Sequence, residues 1–183
     1  MIMNLFYHKD CVFFYFLWNK LYRRSVIGNV HFGPYYRAED FDFNFRVLLH
    51  SKEIAWIHTP LYFYVRSNNS LSLQRNWELH YLNTLDILDK NLKELPIEKE
   101  LYRHELLMRF YRCMQRLIIV NWDTSKRRQT INLCRNYEQN TRKWFFKDKR
   151  FSFAEKVKTT FKVRYPMIAL RLKSLVNCYL RYK

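Results

Sequence analysis

Two glycines, Gly28 and Gly33, serve all 183 residues, and both stand in one short stretch, GNVHFGPYY (Gly28 to Tyr36). Glycine is what lets a backbone turn tightly or come close to a phosphate. A chain so poor in it has little material for tight turns, and both glycine-loop nucleotide motifs are absent. The rest is core-forming: 49% of residues are hydrophobic and 19% aromatic, well outside the disordered range. The length fits one domain, or part of a larger one, with a core of its own.

The hydrophobic pattern changes along the chain. CVFFYFLWNKLY (Cys11 to Tyr22) is aromatic and β-prone and reads as a buried strand. The stretch with both glycines and Pro34 reads as a loop. From Ala38, Phe41, Phe45, Leu48 and Leu49 recur at helical spacing, with Glu39 and Asp40 in the first turn. EIAWIHTPLYFYVR (Glu53 to Arg66) is strand-like, broken at Pro60, and SNNS (Ser67 to Ser70) is turn chemistry. Beyond about residue 75 the texture is helical, with helices expected near 76 to 94, 98 to 121, 125 to 145, 152 to 164 and 167 to 181. The expected fold class is therefore α/β, with a sheet and helices over about residues 1 to 75 and an all-α C-terminal region. The expected division is 1–75, a helical extension 76–150, and basic amphipathic helices 151–183.

Four cysteines, Cys11, Cys113, Cys134 and Cys178, stand far apart, and no secretory signal is read at the start. A reducing, cytoplasmic setting is expected. No apolar run approaches the roughly 20 residues that cross a bilayer. The six histidines, His8, His31, His50, His58, His80 and His104, show no ligand spacing, so no protein-only metal site is expected. The net charge is +17, and 13 Lys or Arg against two acids fall between Arg142 and Lys183. Such a tail attracts polyanions, either nucleic acid or an anionic leaflet.

Three pieces occur in a telling order: Trp18-Asn19-Lys20-Leu21-Tyr22, then Phe32 with the pair Glu39-Asp40, then TPLYFYVRSNNSLS (Thr59 to Ser72). Over about residues 12 to 73 the chain resembles the C-terminal, acceptor-side half of a family 2 glycosyltransferase of the GT-A fold, the bacterial surface-polysaccharide type. The resemblance implies a partial GT-A-like sheet, a nucleotide-sugar donor and a saccharide or lipid-linked acceptor. The nucleotide-binding strand and the Asp-X-Asp metal motif of such enzymes do not occur here. No cofactor is therefore expected in this chain, Mg or Mn is expected for the complete enzyme, and the chain is expected to be a truncated, inactive part unless completed by a donor-side polypeptide.

Inverting transfer needs a carboxylate that takes the acceptor hydroxyl's proton as it attacks the anomeric carbon. The resemblance gives that role to Asp40, with Glu39 orienting the acceptor or a neighbouring loop. The plainer alternative is that both acids only oppose a helix dipole. The resemblance also places Trp18, Asn19 and Lys20 on the wall between donor and acceptor, where an indole can stack on a pyranose and a cation can approach the diphosphate. Alternatively Trp18 ends a core strand. Tyr62, Tyr64 and Arg66 fall where the family has a loop that closes over the phosphates, though the tyrosines also suit a structural role.

In the tail, Ala154, Val157 and Phe161 form one apolar stripe and Ile168, Leu172, Leu175 and Tyr179 another, with Lys156, Lys158, Lys162 and Arg171 between or opposite them. A basic amphipathic pair of this kind suits a peripheral protein on the inner face of an anionic membrane. The alternative is a packed helical hairpin with a solvated basic face. A competing function class is a non-enzymatic basic module that binds nucleic acid or anionic membrane. Nucleic acid is the less expected partner, because the aromatic run VFFYFLW contains no basic residue.

Overall fold

Local periodicity organises this chain into successive helices. The computed structural model describes residues 16–55, 57, 59, 61–63, 65, 76–96 and 99–172. Among them the helices are α1 (Arg24–Ile27), α2 (Glu39–His50), α3 (Trp77–Glu94), α4 (Glu100–Val120), α5 (Arg127–Lys147) and α6 (Phe153–Arg164). Residues 166 to 172 are helical as well. The helices expected beyond residue 75 are thus found within about two residues of their expected ends, as far as the described residues reach.

The α/β expectation is overturned. Among the described residues there is no strand, so the partial GT-A-like sheet expected over about residues 1 to 75 is not formed by them. The described part of the aromatic run is a turn at Phe16 to Lys20, where the Lys20 N–H donates to the Leu17 carbonyl at 3.2 Å. The described positions between Glu53 and Val65 are irregular and mostly exposed. A β-prone sequence fits a pleated, half-buried surface that other strands must supply, and a strand without a neighbour leaves its backbone groups unpaired. Neither stretch has such a neighbour among the described residues.

The chain divides into two compact units, Met1–Asn83 and Thr84–Lys183. The first is organised by α2. Its Phe41, Phe43, Phe45, Val47 and Leu48 are buried, together with the polar Asp42 and Asn44. Three acids in its first turn suit the positive end of the helix dipole. The N-cap residue, Ala38, sits at a φ of 66°, in the left-handed region a side chain adopts at some cost. The glycine loop lies against this helix. Phe32 stacks on Phe43 with ring centres 4.4 Å apart. Arg46, bonded to Asp42 at 2.6 Å, also donates to the His31 carbonyl at 2.6 Å. A Cβ on Gly33 would stand 2.7 Å from the Tyr35 ring and 3.1 Å from an Asp42 carboxylate oxygen. Glycine here is what allows the close approach.

In the second unit α4, α5 and α6 pack on one another. Leu107, Phe110, Tyr111, Met114, Leu117 and Ile118 of α4 are buried at helical spacing. The buried face of α5 is Thr130, Cys134, Glu138, Thr141 and Phe145. Polar ties hold the connections. Asn121 donates to the Thr130 hydroxyl at 3.0 Å, and His104 meets Asp148 at 2.9 Å. Ser152 and Glu155 form a reciprocal capping box that starts α6.

Candidate functional site

Asn44 assembles the candidate site in the first unit. Buried in the middle of α2, its amide nitrogen donates to the Phe16 carbonyl at 3.4 Å and its oxygen accepts from the Tyr22 hydroxyl. The turn that carries Trp18, Asn19 and Lys20 is thereby tied to the helix. Lys20 folds back into its own turn, its ammonium donating to the Phe16 carbonyl and to Asn19 Oδ1, the latter at 2.7 Å. Asp40 lies one helical turn before Asn44, on the same face. The Leu17 backbone N–H donates to its carboxylate, and the charge of Lys20 acts on it.

The electrostatics of this cluster are set first by burial. Burial, and then the charge of Glu39, raises the Asp40 carboxyl above its usual range against the opposing pull of the Leu17 amide and Lys20. Burial lowers Lys20 to about 8, although Asp40 pulls it back upward. Burial, reinforced by Asp40, raises the Tyr22 phenol. The result is an unusually basic carboxylate beside a lysine that can lose its proton near neutral pH. It can accept a proton from a hydroxyl better than an exposed aspartate can.

A lysine lowered in this way makes a direct prediction. Between about pH 8 and about 10.4, the ordinary lysine value, the unfolded chain holds a proton that the folded chain has lost. The Lys20 contribution to stability therefore rises with pH through that window and is lost as pH falls through the folded value. In a carbon-13 titration of the dimethylated protein, Lys20 is expected to titrate near 8, apart from the other lysines. Asp40→Asn should shift it lower still, because Asp40 is the group that raises it. A Lys20 signal that titrates with the bulk lysines would show that the ammonium is solvated.

Trp18 forms the wall beside this cluster. Its indole stacks on Phe16 at 5.2 Å and on Tyr62 at 4.9 Å, with interplanar angles of 29° and 24°. Trp18 is 39% exposed and Tyr62 52%. A partly exposed aromatic stack of this kind can offer a ring face to the apolar side of a sugar ring. Of the residues singled out in the sequence, Trp18, Asn19, Lys20, Glu39, Asp40 and Tyr62 are thus placed in one unit, while Tyr64 and Arg66 lie outside the described residues. Tyr22 enters the sequence reading only as the end of the Trp18-Asn19-Lys20-Leu21-Tyr22 piece, and Asn44 does not enter it. The i, i+4 spacing of Asp40 and Asn44 is the signal that points to the second. Among the described residues no group of three or more His, Cys, Asp or Glu side chains is placed to hold a metal ion.

The basic residues of the second unit divide. Lys156 is buried and donates to the Phe146 carbonyl at 2.9 Å. Lys158 and Lys162 on α6, and Arg171 beyond it, are exposed, as are Phe153, Val157, Ile168 and Leu172. The face of α6 turned inward is Lys156, Thr160 and Val163. No helix among the described residues is long and apolar enough to cross a membrane.

No protein-family profile matches the chain, and no solved structure matches it significantly. A curated protein of Bacillus subtilis (strain 168), named "Putative glycosyltransferase EpsH", is 31% identical over 128 aligned residues. The alignment covers 66% of this chain and 37% of that protein, so the chain spans little more than a third of its relative's length. The chain is therefore related to a glycosyltransferase.

Proposed function

We propose that this chain is the acceptor-side part of an inverting glycosyltransferase of family 2, acting in surface-polysaccharide synthesis, with Asp40 as the base. The observation that carries the proposal is the convergence of Asp40, Lys20 and the Trp18–Tyr62 stack in one unit. Asp40 takes the proton from the attacking acceptor hydroxyl. Burial and then Glu39 keep it basic. Trp18 and Tyr62 hold the acceptor ring, and Tyr64 and Arg66 belong to the loop that meets the phosphates. The donor is a nucleotide sugar, and the acceptor is a saccharide or a lipid-linked saccharide. The Mg or Mn of the complete enzyme does not fit the described residues, which lack a ligand group for it, and no step here is assigned to it.

The test is transfer by the complete enzyme, made by joining this chain to the donor-side part of a related transferase. The new linkage is expected to have the anomeric configuration opposite to the donor's, read by proton NMR of the product. Retention of configuration would exclude Asp40 as a base acting on the acceptor, since retaining chemistry places its groups differently.

A peripheral place on the inner face of an anionic membrane is part of the same proposal. It is supported by the exposed apolar residues of α6 and residues 166 to 172 beside Lys158, Lys162 and Arg171. Vesicles with anionic lipid should pellet the chain far better than neutral ones. Each basic residue near the surface adds about 1 kcal/mol, screened over about 8 Å at physiological ionic strength. Reversing Lys158, Lys162 and Arg171 to Glu should abolish binding without loss of fold, whereas Lys156→Glu should unfold the helix from its unit. Indifference to lipid charge, salt and the three reversals would mean that the basic face is merely solvated. Retardation of DNA as strong as vesicle binding at the same salt would favour the non-enzymatic polyanion module.

A further inference from the structure

We propose that the groove between α5 and α6 in the second unit is a binding site for an anionic saccharide. The groove has a volume of about 450 Å³ and is lined by Asn132, Arg135, Asn136, Gln139, Arg164 and Tyr165. That is the size range of small-molecule sites, roughly 300 to 1,000 Å³. Asn132, Asn136 and Gln139 recur at i, i+4 and i+7 and so form one row along α5. Among the described residues no partner takes up any of these three amides. Each amide offers both a donor and an acceptor, the pairing that vicinal hydroxyls of a sugar require.

The charge in the groove is held in place from beneath. Glu138, wholly buried on α5, accepts from Arg164 Nε at 2.8 Å. Its other oxygen lies 3.7 Å from Arg142 Nε. Arg135 in turn donates through Nε and Nη2 to the Arg164 carbonyl, at 3.2 and 2.8 Å. Arg135 is thus fixed by one edge and Arg164 through its Nε, and the remaining N–H groups are left for a carboxylate or phosphate, whose geometry the guanidinium fork matches. Tyr165, 51% exposed, supplies a ring face. Fixed cations, a row of amides and an aromatic face describe an acidic sugar better than a bare anion, which would not use the amides, or a nucleic acid, which would ask for a longer basic track. The choice of a saccharide rests on the glycosyltransferase relationship. The site's binding is measured without donor or transfer, so failure here would leave the proposed activity standing.

The experiment is a calorimetric titration of the full chain with tetragalacturonate, maltotetraose and inorganic phosphate. Tetragalacturonate is expected to bind at least about tenfold more tightly than either of the others, a difference of about 1.4 kcal/mol. Arg135→Gln should weaken it about tenfold. Asn136→Ala, on an exposed position that holds no part of the core, should weaken it several-fold, while Lys147→Gln on the same helix should leave it unchanged. Phosphate binding as tightly as tetragalacturonate would make the groove an anion site only and overturn the proposal. So would equal binding of maltotetraose, or a loss in Lys147→Gln equal to that in Arg135→Gln, which would assign binding to net charge.

Discussion

Asp40→Asn in the complete enzyme is expected to lower the rate of transfer by about 10² to 10⁴ with little change in donor affinity, the usual range for loss of a positioned base. The substitution keeps the size of the side chain, and an amide oxygen can still accept from the Leu17 N–H. The helix should survive, since Glu39 and Asp42 remain in the first turn of α2. Glu39→Gln is expected to cost less and to act differently. Its charge helps to raise Asp40, so its removal should move the acid limb of the rate profile to lower pH. Lys20 pulls Asp40 downward, so Lys20→Met should move the acid limb to higher pH. Equal losses from the two acids, or a loss confined to donor affinity, would show that the base has been assigned to the wrong carboxylate.

The helical part of this chain is legible because its information is local. Leu107, Phe110, Tyr111, Met114 and Leu117 repeat at helical spacing whatever surrounds them, and the α4 they define runs where the spacing puts it. Over the described residues the strand expectation fails for the opposite reason. CVFFYFLW has the composition of a strand, but a strand is completed by hydrogen bonds to a neighbour that its own sequence does not contain. The described end of that run bonds locally instead, through Lys20 to the Leu17 and Phe16 carbonyls.

The site divides along the same line. Glu39, Asp40, Trp18 and Lys20 are candidates because of the family resemblance that their order carries, since a helix start alone explains the two acids equally well. That Lys20 and Asp40 influence each other depends on Asn44 tying the turn to the helix across 28 residues, which no local spacing announces. The tail shows the limit of a helical wheel most directly. The stripe Ala154, Val157 and Phe161 could face either a membrane or the core; in the structure Lys156, Thr160 and Val163 are the buried residues, and the Lys156 ammonium donates to the Phe146 carbonyl. Periodicity locates a helix reliably and orients it only when its two faces differ clearly.

The orientation of α5 can be tested by a pair of neighbours that composition cannot tell apart. Phe145 is 1% exposed, with its ring 4.2 Å from Tyr111 and 4.5 Å from Phe151. Phe146 is 38% exposed and lies beneath the Arg142 guanidinium at 5.5 Å. Phe145→Ala removes the one aromatic ring on a buried face otherwise made of Thr130, Cys134, Glu138 and Thr141. Those residues cannot move in to fill the space. The expected loss is about 3 to 5 kcal/mol, transfer and cavity together. With a urea slope of about 1 to 3 kcal/mol/M, the unfolding midpoint should drop by more than about 1 M. Phe146→Ala gives up an exposed cation–π contact and should cost about 1 kcal/mol or less. If the two losses were equal, or reversed, α5 would be rotated about its axis. Glu138 would then leave the core, Arg164 would lose its fixed partner, and the groove lined by Asn132, Asn136 and Gln139 would no longer face α6.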